Sequence, residues 1–229
     1  PQASKSFREK DRAKVAWTGN PIRKEIAHKE SQGAYEFLHL EANLPVILVL
    51  GGSQGAQVIN DAILNALPVL LQKYQIIHQV GQANFNEMKK LSSAALGANP
   101  IRERYKLFGY LNNLAMKMSA GAANIVVTRA GSTLFEIANW GLPSIVIPIT
   151  ETQNDHQRKN AYNYDREGAA FVIEEANLNP TILVQEIDRI LNNQVKKDAM
   201  EKAAKAFAKP DAARTIAEAV IQIGVEHSE

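Results

Sequence analysis

The sequence predicts an α/β fold built on a doubly wound parallel sheet, and two features predict it. Short runs rich in Val, Ile and Leu recur along the chain, the composition of strands covered on both faces: Val46–Leu50, Tyr74–Val80, Tyr105–Phe108, Asn124–Thr128, Pro143–Ile147 and Ala170–Ile173. Between them lie segments with apolar residues at helical spacing. That alternation means parallel strands joined by helical crossovers, a Rossmann-like plan.

The elements follow in order. The polar opening segment leads into Lys14–Arg23, a short strand and a Gly19-Asn20-Pro21 turn. A start at Pro1 reads as the tail of a longer chain or as one half of a split enzyme. Residues 24–44 are charged and polar, with Phe37 and Leu38 as modest anchors, and read as an exposed helix or loop. Val46–Leu50 opens the core, and Gly51-Gly52-Ser53-Gln54-Gly55 follows, with a helix carrying Ile59, Ala62, Ile63, Ala66 and Leu67. The second strand closes at Gly81, before a helix over about 84–95. The third ends at Gly109, before a short helix over Leu111–Ser119. The fourth passes through Arg129-Ala130-Gly131-Ser132 into a helix over Thr133–Trp140, stopped by Gly141. Pro148 ends the fifth strand; a polar loop leads into a helix from about Asp155 to Glu167, closed by Gly168. After the sixth strand, Asn179-Pro180 starts an amphipathic helix to about Asn192. The remainder is helical, broken at Pro210, with Asp211 capping a last helix to about Ile223.

At 229 residues the chain is long enough for a real core, and its apolar and charged fractions, 45% and 22%, are ordinary for a globular protein. A net charge of +2 gives no ground for a nucleic-acid partner. No apolar run approaches the roughly 18 residues of a membrane span. Without cysteine there is no disulfide framework and no thiolate chemistry, so a cytoplasmic protein without a leader is expected. No histidine–carboxylate spacing suggests zinc, no Asp-x-Asp suggests a chelated diphosphate, and no Gly-x-Ser-x-Gly elbow is present.

In a doubly wound sheet the ligand lies beyond the carboxyl ends of the strands, at the switch point. The loops at 51–55, 109–111, 128–133 and 148–157 are therefore expected to converge on one crevice. Residues 51–55 make a glycine-rich strand-to-helix turn. Its glycines let a ligand approach the backbone, and the free N–H groups of the helix start favour an anion, here a diphosphate. The competing reading is a tight turn without a ligand. A dinucleotide fits less well: the pattern is not G-x-G-x-x-G, and Gln79 and Gly81 stand where an acidic ribose partner belongs. The turn at Arg129–Glu136 repeats the arrangement, with two hydroxyls, Ser132 and Thr133, in the first turn. Glu136 either closes a T-x-x-E capping box with Thr133 or accepts two hydrogen bonds from a ribose diol. Residues 150–160 are dense in amides and carboxamides that suit sugar hydroxyls; the alternative is a solvated loop capped by Asn154 or Asp155. His156 is the histidine expected near the crevice. His78, inside a strand, is expected to be packed.

Together, Gly19-Asn20-Pro21-Ile22-Arg23, Gly51 through Ala56, Arg129 through Ser132 with Glu136-Ile137-Ala138, Gly141-Leu142-Pro143 and Gln157 through Ala161 resemble the MurG family of peptidoglycan glycosyltransferases. These enzymes add N-acetylglucosamine from UDP-GlcNAc to lipid I, giving lipid II. The resemblance covers about residues 15 to 223 and matches the carboxyl-terminal, donor-binding half of that two-domain, GT-B type fold. It implies three regions: 1–23 as a remnant of the amino-terminal domain and the junction, 24–209 as the donor-binding domain, and 210–229 as a helix packed on the other domain. It implies that Arg23 faces the donor diphosphate, and that Gly52, Ser53, Gln54 and Gly55 hold phosphate. It implies that the Leu111 backbone reads the uracil edge, and that Arg129, Gly131, Ser132, Thr133, Leu134 and Phe135 surround phosphate and ribose. Glu136 would bind the ribose hydroxyls, and His156 and Gln157 the sugar. The stretch from Arg129 to Glu136 is one residue shorter than the family's pattern, and His156 stands where a second glutamine is common.

The resemblance places the catalytic base and the lipid-facing surface in the other half, so no catalytic residue, metal or cofactor is expected in this chain. It implies a cytoplasmic protein, peripheral on the inner membrane face when whole. The isolated chain is expected to bind UDP-GlcNAc without turnover. Two alternatives remain: a non-catalytic donor-binding subunit of a split glycosyltransferase, and a UDP-GlcNAc 2-epimerase-like enzyme.

Overall fold

A computed structural model describes residues 15–16, 18–51, 56–149 and 155–226. Among them are six strands: β1 (Val46–Leu50), β2 (Gln75–Gln79), β3 (Tyr105–Phe108), β4 (Ile125–Thr128), β5 (Ser144–Val146) and β6 (Ala170–Val172). All pair in parallel, in the order β3-β2-β1-β4-β5-β6. The order reverses between β1 and β4, the switch point at which this sheet type binds its ligands. Register aligns the strand ends in one row, with Leu50 opposite both Gln79 and Thr128, Gln79 opposite Phe108, and Thr128 opposite Val146. Every loop that follows a strand therefore leaves from the same edge.

The described helices are α1 (Ala34–Phe37), α2 (Gln57–Leu70), α3 (Phe85–Leu96), α4 (Asn113–Ala122), α5 (Thr133–Trp140), α6 (His156–Arg166), α7 (Pro180–Leu191), α8 (Gln194–Phe207) and α9 (Ala212–Glu226). They cover both faces of the sheet. Ile47, Val49, Ile76, Ile125, Val127 and Ile145 pack against Ile59, Ile63 and Leu67 of α2 and Leu183 and Ile187 of α7. Val46, Leu48, Ile77 and Val126 point the other way, toward Met116 and Ala120 of α4 and Trp140. Alternate residues of one strand thus feed two cores, and this is why the strands carry unbroken apolar runs rather than a polar alternation.

Residues 24–44 depart from the expected exposed segment. Ile26, Ala34 and Leu38 are buried, whereas Phe37 is 46% exposed. Trp140 Nε1 donates to the Ile26 carbonyl at 2.7 Å, Asn139 Nδ2 donates to the Ala27 carbonyl, and the Glu30 amide donates to the Lys117 carbonyl at 3.0 Å. The physical reason is that α4 and α5 leave an apolar seam, and this segment covers it. The approach is so close that a Cβ on Gly121 would lie 1.8 Å from the Glu30 carbonyl oxygen.

The helix ends follow local chemistry. Asn112, Asn179 and Asn193 cap α4, α7 and α8 through their side chains. Gly141 ends α5 in the left-handed region at φ +67°, as expected of a C-cap glycine. Asp155 stands at the start of α6 at φ +53° without a side-chain cap, so the capping expected of it is not made; Asn154 lies outside the described residues.

His78 is fully buried in β2, as its strand position suggested. Its Nδ1 lies 2.9 Å from the Tyr105 hydroxyl and its Nε2 3.1 Å from Asn60 Oδ1, while Asn60 Nδ2 donates to the Val80 carbonyl at 3.2 Å. With its amide nitrogen committed to Val80, Asn60 offers an oxygen, so the ring carries its proton on Nε2 and accepts the tyrosine proton at Nδ1. Burial pushes its pKa down to about 3.

Candidate functional site

Beyond the row of strand ends lies a hollow of about 490 Å³, within the size range of small-molecule sites. Leu50, Gly51, Gln79 and Thr128 form its floor. Tyr110, Met116, Arg129, Gly131, Ser132, Thr133 and Glu136 form one wall, and Pro21, Arg23, Ile149 and Gln157 the remainder. Described residues from each of the four loops expected to converge, Gly51, Tyr110, Thr128, Arg129, Gly131, Ser132, Thr133, Ile149 and Gln157, share this one space.

The start of α5 is the most polar wall. Leu134 and Phe135 donate their amides to the Gly131 and Ser132 carbonyls at 3.1 Å, and Ser132, the N-cap residue, makes no side-chain cap bond. The amides and hydroxyls of Ser132 and Thr133 are left facing the hollow, with no acceptor for those amides among the described residues. A helix start in this state attracts an anion. The T-x-x-E capping box is not formed. The helix begins one residue earlier than that box requires, and the Glu136 carboxylate instead receives Arg23, whose Nε and Nη2 donate to Oε1 and Oε2 at 2.8 and 3.1 Å. Glu136 is 7% exposed and Arg23 44%. The Glu136 carboxylate holds the Arg23 pKa above its ordinary value.

Arg129 also lines the hollow but is held from behind. Its Nη1 and Nη2 donate to the two oxygens of Glu175 at 3.2 Å each, and Nη1 also reaches the Ile147 carbonyl at 3.2 Å. Its charge is paired within the protein, on Glu175. Its buried Nε has no acceptor among the described residues.

Four further residues expected at the donor do not line the hollow. Leu134 is fully buried against Ala130, Ala138 and Tyr164, and the Phe135 ring stacks on Phe207 at 6.1 Å, so neither side chain reaches the hollow. Helix geometry explains this: Ser132 and Glu136, four residues apart, share a face, and Leu134 lies opposite. His156, the first residue of α6, is exposed and does not line the hollow, whereas the next residue, Gln157, does. The Leu111 amide is already engaged, donating at 3.0 Å to Gln79 Oε1. Gly52, Ser53, Gln54 and Gly55 lie outside the described residues, as do residues 150–154.

Several residues escaped the sequence reading. Gln79, at the end of a fully buried strand, is aimed at the hollow; a carboxamide closing an apolar run was the available signal. Tyr110, 58% exposed at the rim, offers an aromatic face. Asn160 donates from Nδ2 to the Ala130 carbonyl at 3.1 Å and so ties α6 to the turn before α5. Glu175, which holds Arg129, carried no sequence signal. Among the described residues no group of three or more His, Cys, Asp and Glu side chains is placed to hold a metal ion, and no helix is long and apolar enough to cross a membrane.

Comparison with known proteins gives concordant findings. Residues 46–216 match the model of the glycosyltransferase family 28 C-terminal domain. A UDP-N-acetylglucosamine–N-acetylmuramyl-(pentapeptide) pyrophosphoryl-undecaprenol N-acetylglucosamine transferase from Listeria monocytogenes is 36% identical over 213 residues, 92% of this chain and 57% of the relative. The enzyme of the same name from Halothermothrix orenii is 35% identical, over 94% of this chain and 58% of its own. The chain therefore spans little more than half the length of these relatives. Among solved structures, MurG of Acinetobacter baumannii superposes with a TM-score of 0.68 at 24% identity, covering 86% of this chain and 55% of that one. A UDP-GlcNAc 2-epimerase from Neisseria meningitidis bound to UDP-GlcNAc gives 0.62 at 13%, covering 83% and 48%. At these identities the structural likeness speaks for the fold of the matched domain alone.

Proposed function

The chain belongs to glycosyltransferase family 28, whose carboxyl-terminal domain it carries, and we propose on that footing that it is the donor-binding half of an inverting enzyme that moves N-acetylglucosamine from UDP-GlcNAc to lipid I, forming lipid II for peptidoglycan. The observation that carries this reading is the single hollow at the β1/β4 switch point, where an anion-seeking helix start, a carboxylate and a carboxamide face one another. A diphosphate suits the Ser132 and Thr133 amides, a ribose diol suits Glu136, a base suits the rim beside Tyr110 and Leu111, and a sugar suits Gln157. Gly52, Ser53, Gln54 and Gly55 would complete the phosphate cradle.

In the reaction the acceptor hydroxyl, deprotonated by a base from the other half, attacks the anomeric carbon as UDP departs. The residues of this half stabilise the charge that gathers on the leaving diphosphate, through fixed N–H dipoles and Arg23, with no metal required. The acceptor and the inner membrane face would be met by the other half. The exposed Val220, Ile221, Ile223 and Val225 of α9 support a last helix that packs on that half. Among the described residues lining the hollow Glu136 is the single carboxylate, which favours transfer over epimerisation, a reaction that needs further acids and bases.

Calorimetric titration of the chain tests the reading. UDP and UDP-GlcNAc should both bind, with no sugar transferred or hydrolysed. A folded sample that gives no heat with either ligand overturns it.

A further inference from the structure

The Arg23–Glu136 pair stands where a ligand of the proposed class has to go. The guanidinium presents two parallel N–H groups to the two oxygens of one carboxylate, at 2.8 and 3.1 Å. A ribose diol presents two O–H groups to the same lone pairs, so guanidinium and diol compete for one acceptor. The two partners are not equally free to yield. Glu136 sits on the first turn of α5, nearly buried, while Arg23 lies in the irregular segment before the short 3₁₀ turn Lys24–Ile26 and is almost half exposed. Arg23 is the member that moves.

Resting on the donor-site reading above, we propose that Arg23 makes binding conditional on a ligand that carries a diol and a diphosphate together. A nucleoside alone must replace a charge-assisted bidentate pair with two neutral donors and leave the guanidinium without its anion. Pyrophosphate alone can draw Arg23 away, but it strips Glu136 of its donors in a nearly buried position. A nucleoside diphosphate does neither: the diol takes Glu136 and the phosphates take Arg23, beside the Ser132 and Thr133 amides in the same hollow. Discrimination against the nucleoside is therefore larger than the phosphate contacts alone supply, because part of it is the cost of opening the pair.

The test compares uridine and UDP on the 229-residue chain, as wild type, Arg23→Met and Arg23→Lys, with a thermal melt of each to establish folding. Arg23→Met should bind uridine about two- to threefold more tightly, the size expected when a half-exposed pair no longer has to be opened, and UDP about tenfold more weakly through the lost phosphate contact. Arg23→Lys cannot fork onto both oxygens; uridine should again bind more tightly, while UDP keeps part of its affinity. If the wild type binds UDP and uridine affinity is unchanged or reduced in both variants, the conditional role of Arg23 is wrong and the donor site stands. If the folded wild type binds neither ligand, both readings fall.

Discussion

Arg129 and Arg23 line the same hollow, and each offers a forked guanidinium to one carboxylate, yet they differ in everything else that holds them. Arg129 is 12% exposed and its partner Glu175 22%. A third bond to the Ile147 carbonyl fastens the end of β4 to the ends of β5 and of the segment after β6. Arg23 is 44% exposed, and beside its two bonds to Glu136 its side chain has a hydrogen bond with Tyr110 at the rim. The first pair is part of the wall. The second spans the opening and can be parted without disturbing the sheet. Two residues of the same type, each expected from the sequence to meet a phosphate, thus have different work: one sets the shape of the site and the other answers to what enters it.

The sharpest way to break this comparison is to remove the fixed pair. Arg129→Met leaves the Glu175 carboxylate and the Ile147 carbonyl without their donor in a poorly hydrated wall. It should lower unfolding stability by about 3 kcal/mol in urea titrations, near the range for stranding one member of a buried pair. A loss below about 1 kcal/mol would put the pair in the class of exposed ion pairs and erase the distinction from Arg23.

A second fixed element lies one residue behind the rim. His78 precedes Gln79 in β2, and its two ring nitrogens hold Asn60 and Tyr105. The unfolded chain takes up a proton at this residue near the ordinary value of 6.5, whereas burial holds the native pKa down to about 3. Stability from this group is therefore full above pH 6.5 and is lost progressively as the pH falls toward 3. The loss should reach about 2 kcal/mol at pH 5 relative to pH 7. Urea titrations at the two pH values should show it, and His78→Gln should flatten that pH dependence while lowering stability at pH 7. An unchanged slope in the variant would mean that other groups carry the acid sensitivity.

The contrast also shows what could be read from the chain beforehand. The strands were legible because burial on both faces demands unbroken runs such as Val46–Leu50, and the place of the hollow followed from the alternation of elements, since the order must reverse somewhere and loops gather there. Which side chains turn into it was only partly legible. Ser132 and Glu136 lie four apart on one helical face, and the same spacing turns Leu134 away from it, a deduction the sequence permitted and the family pattern obscured; Phe135, three residues from Ser132, is instead drawn off by stacking on Phe207. The capping box failed by a single residue of helix boundary, the least secure quantity in a sequence reading. The partners of the two arginines were not legible at all. Arg23 and Glu136 are 113 residues apart, and Arg129 and Glu175 are 46 apart; nothing in local composition distinguishes Glu175 from Glu174 beside it, which pairs with Arg158 instead.

The smallest effect expected is also the one that sharpens the comparison most. Arg23→Met should change unfolding stability by about 0.5 kcal/mol or less, because a half-exposed guanidinium gains little over its hydration and loses side-chain freedom in pairing. The carboxylate it leaves behind works against that small value, since Glu136 is nearly buried. However, the hollow in front of it is open to water, which can supply the missing donors. Urea titration of the variant beside Arg129→Met measures the difference directly. A loss for Arg23→Met comparable to that for Arg129→Met would mean that Arg23 holds the fold together, and the same contact could not then serve as a latch that a ligand opens.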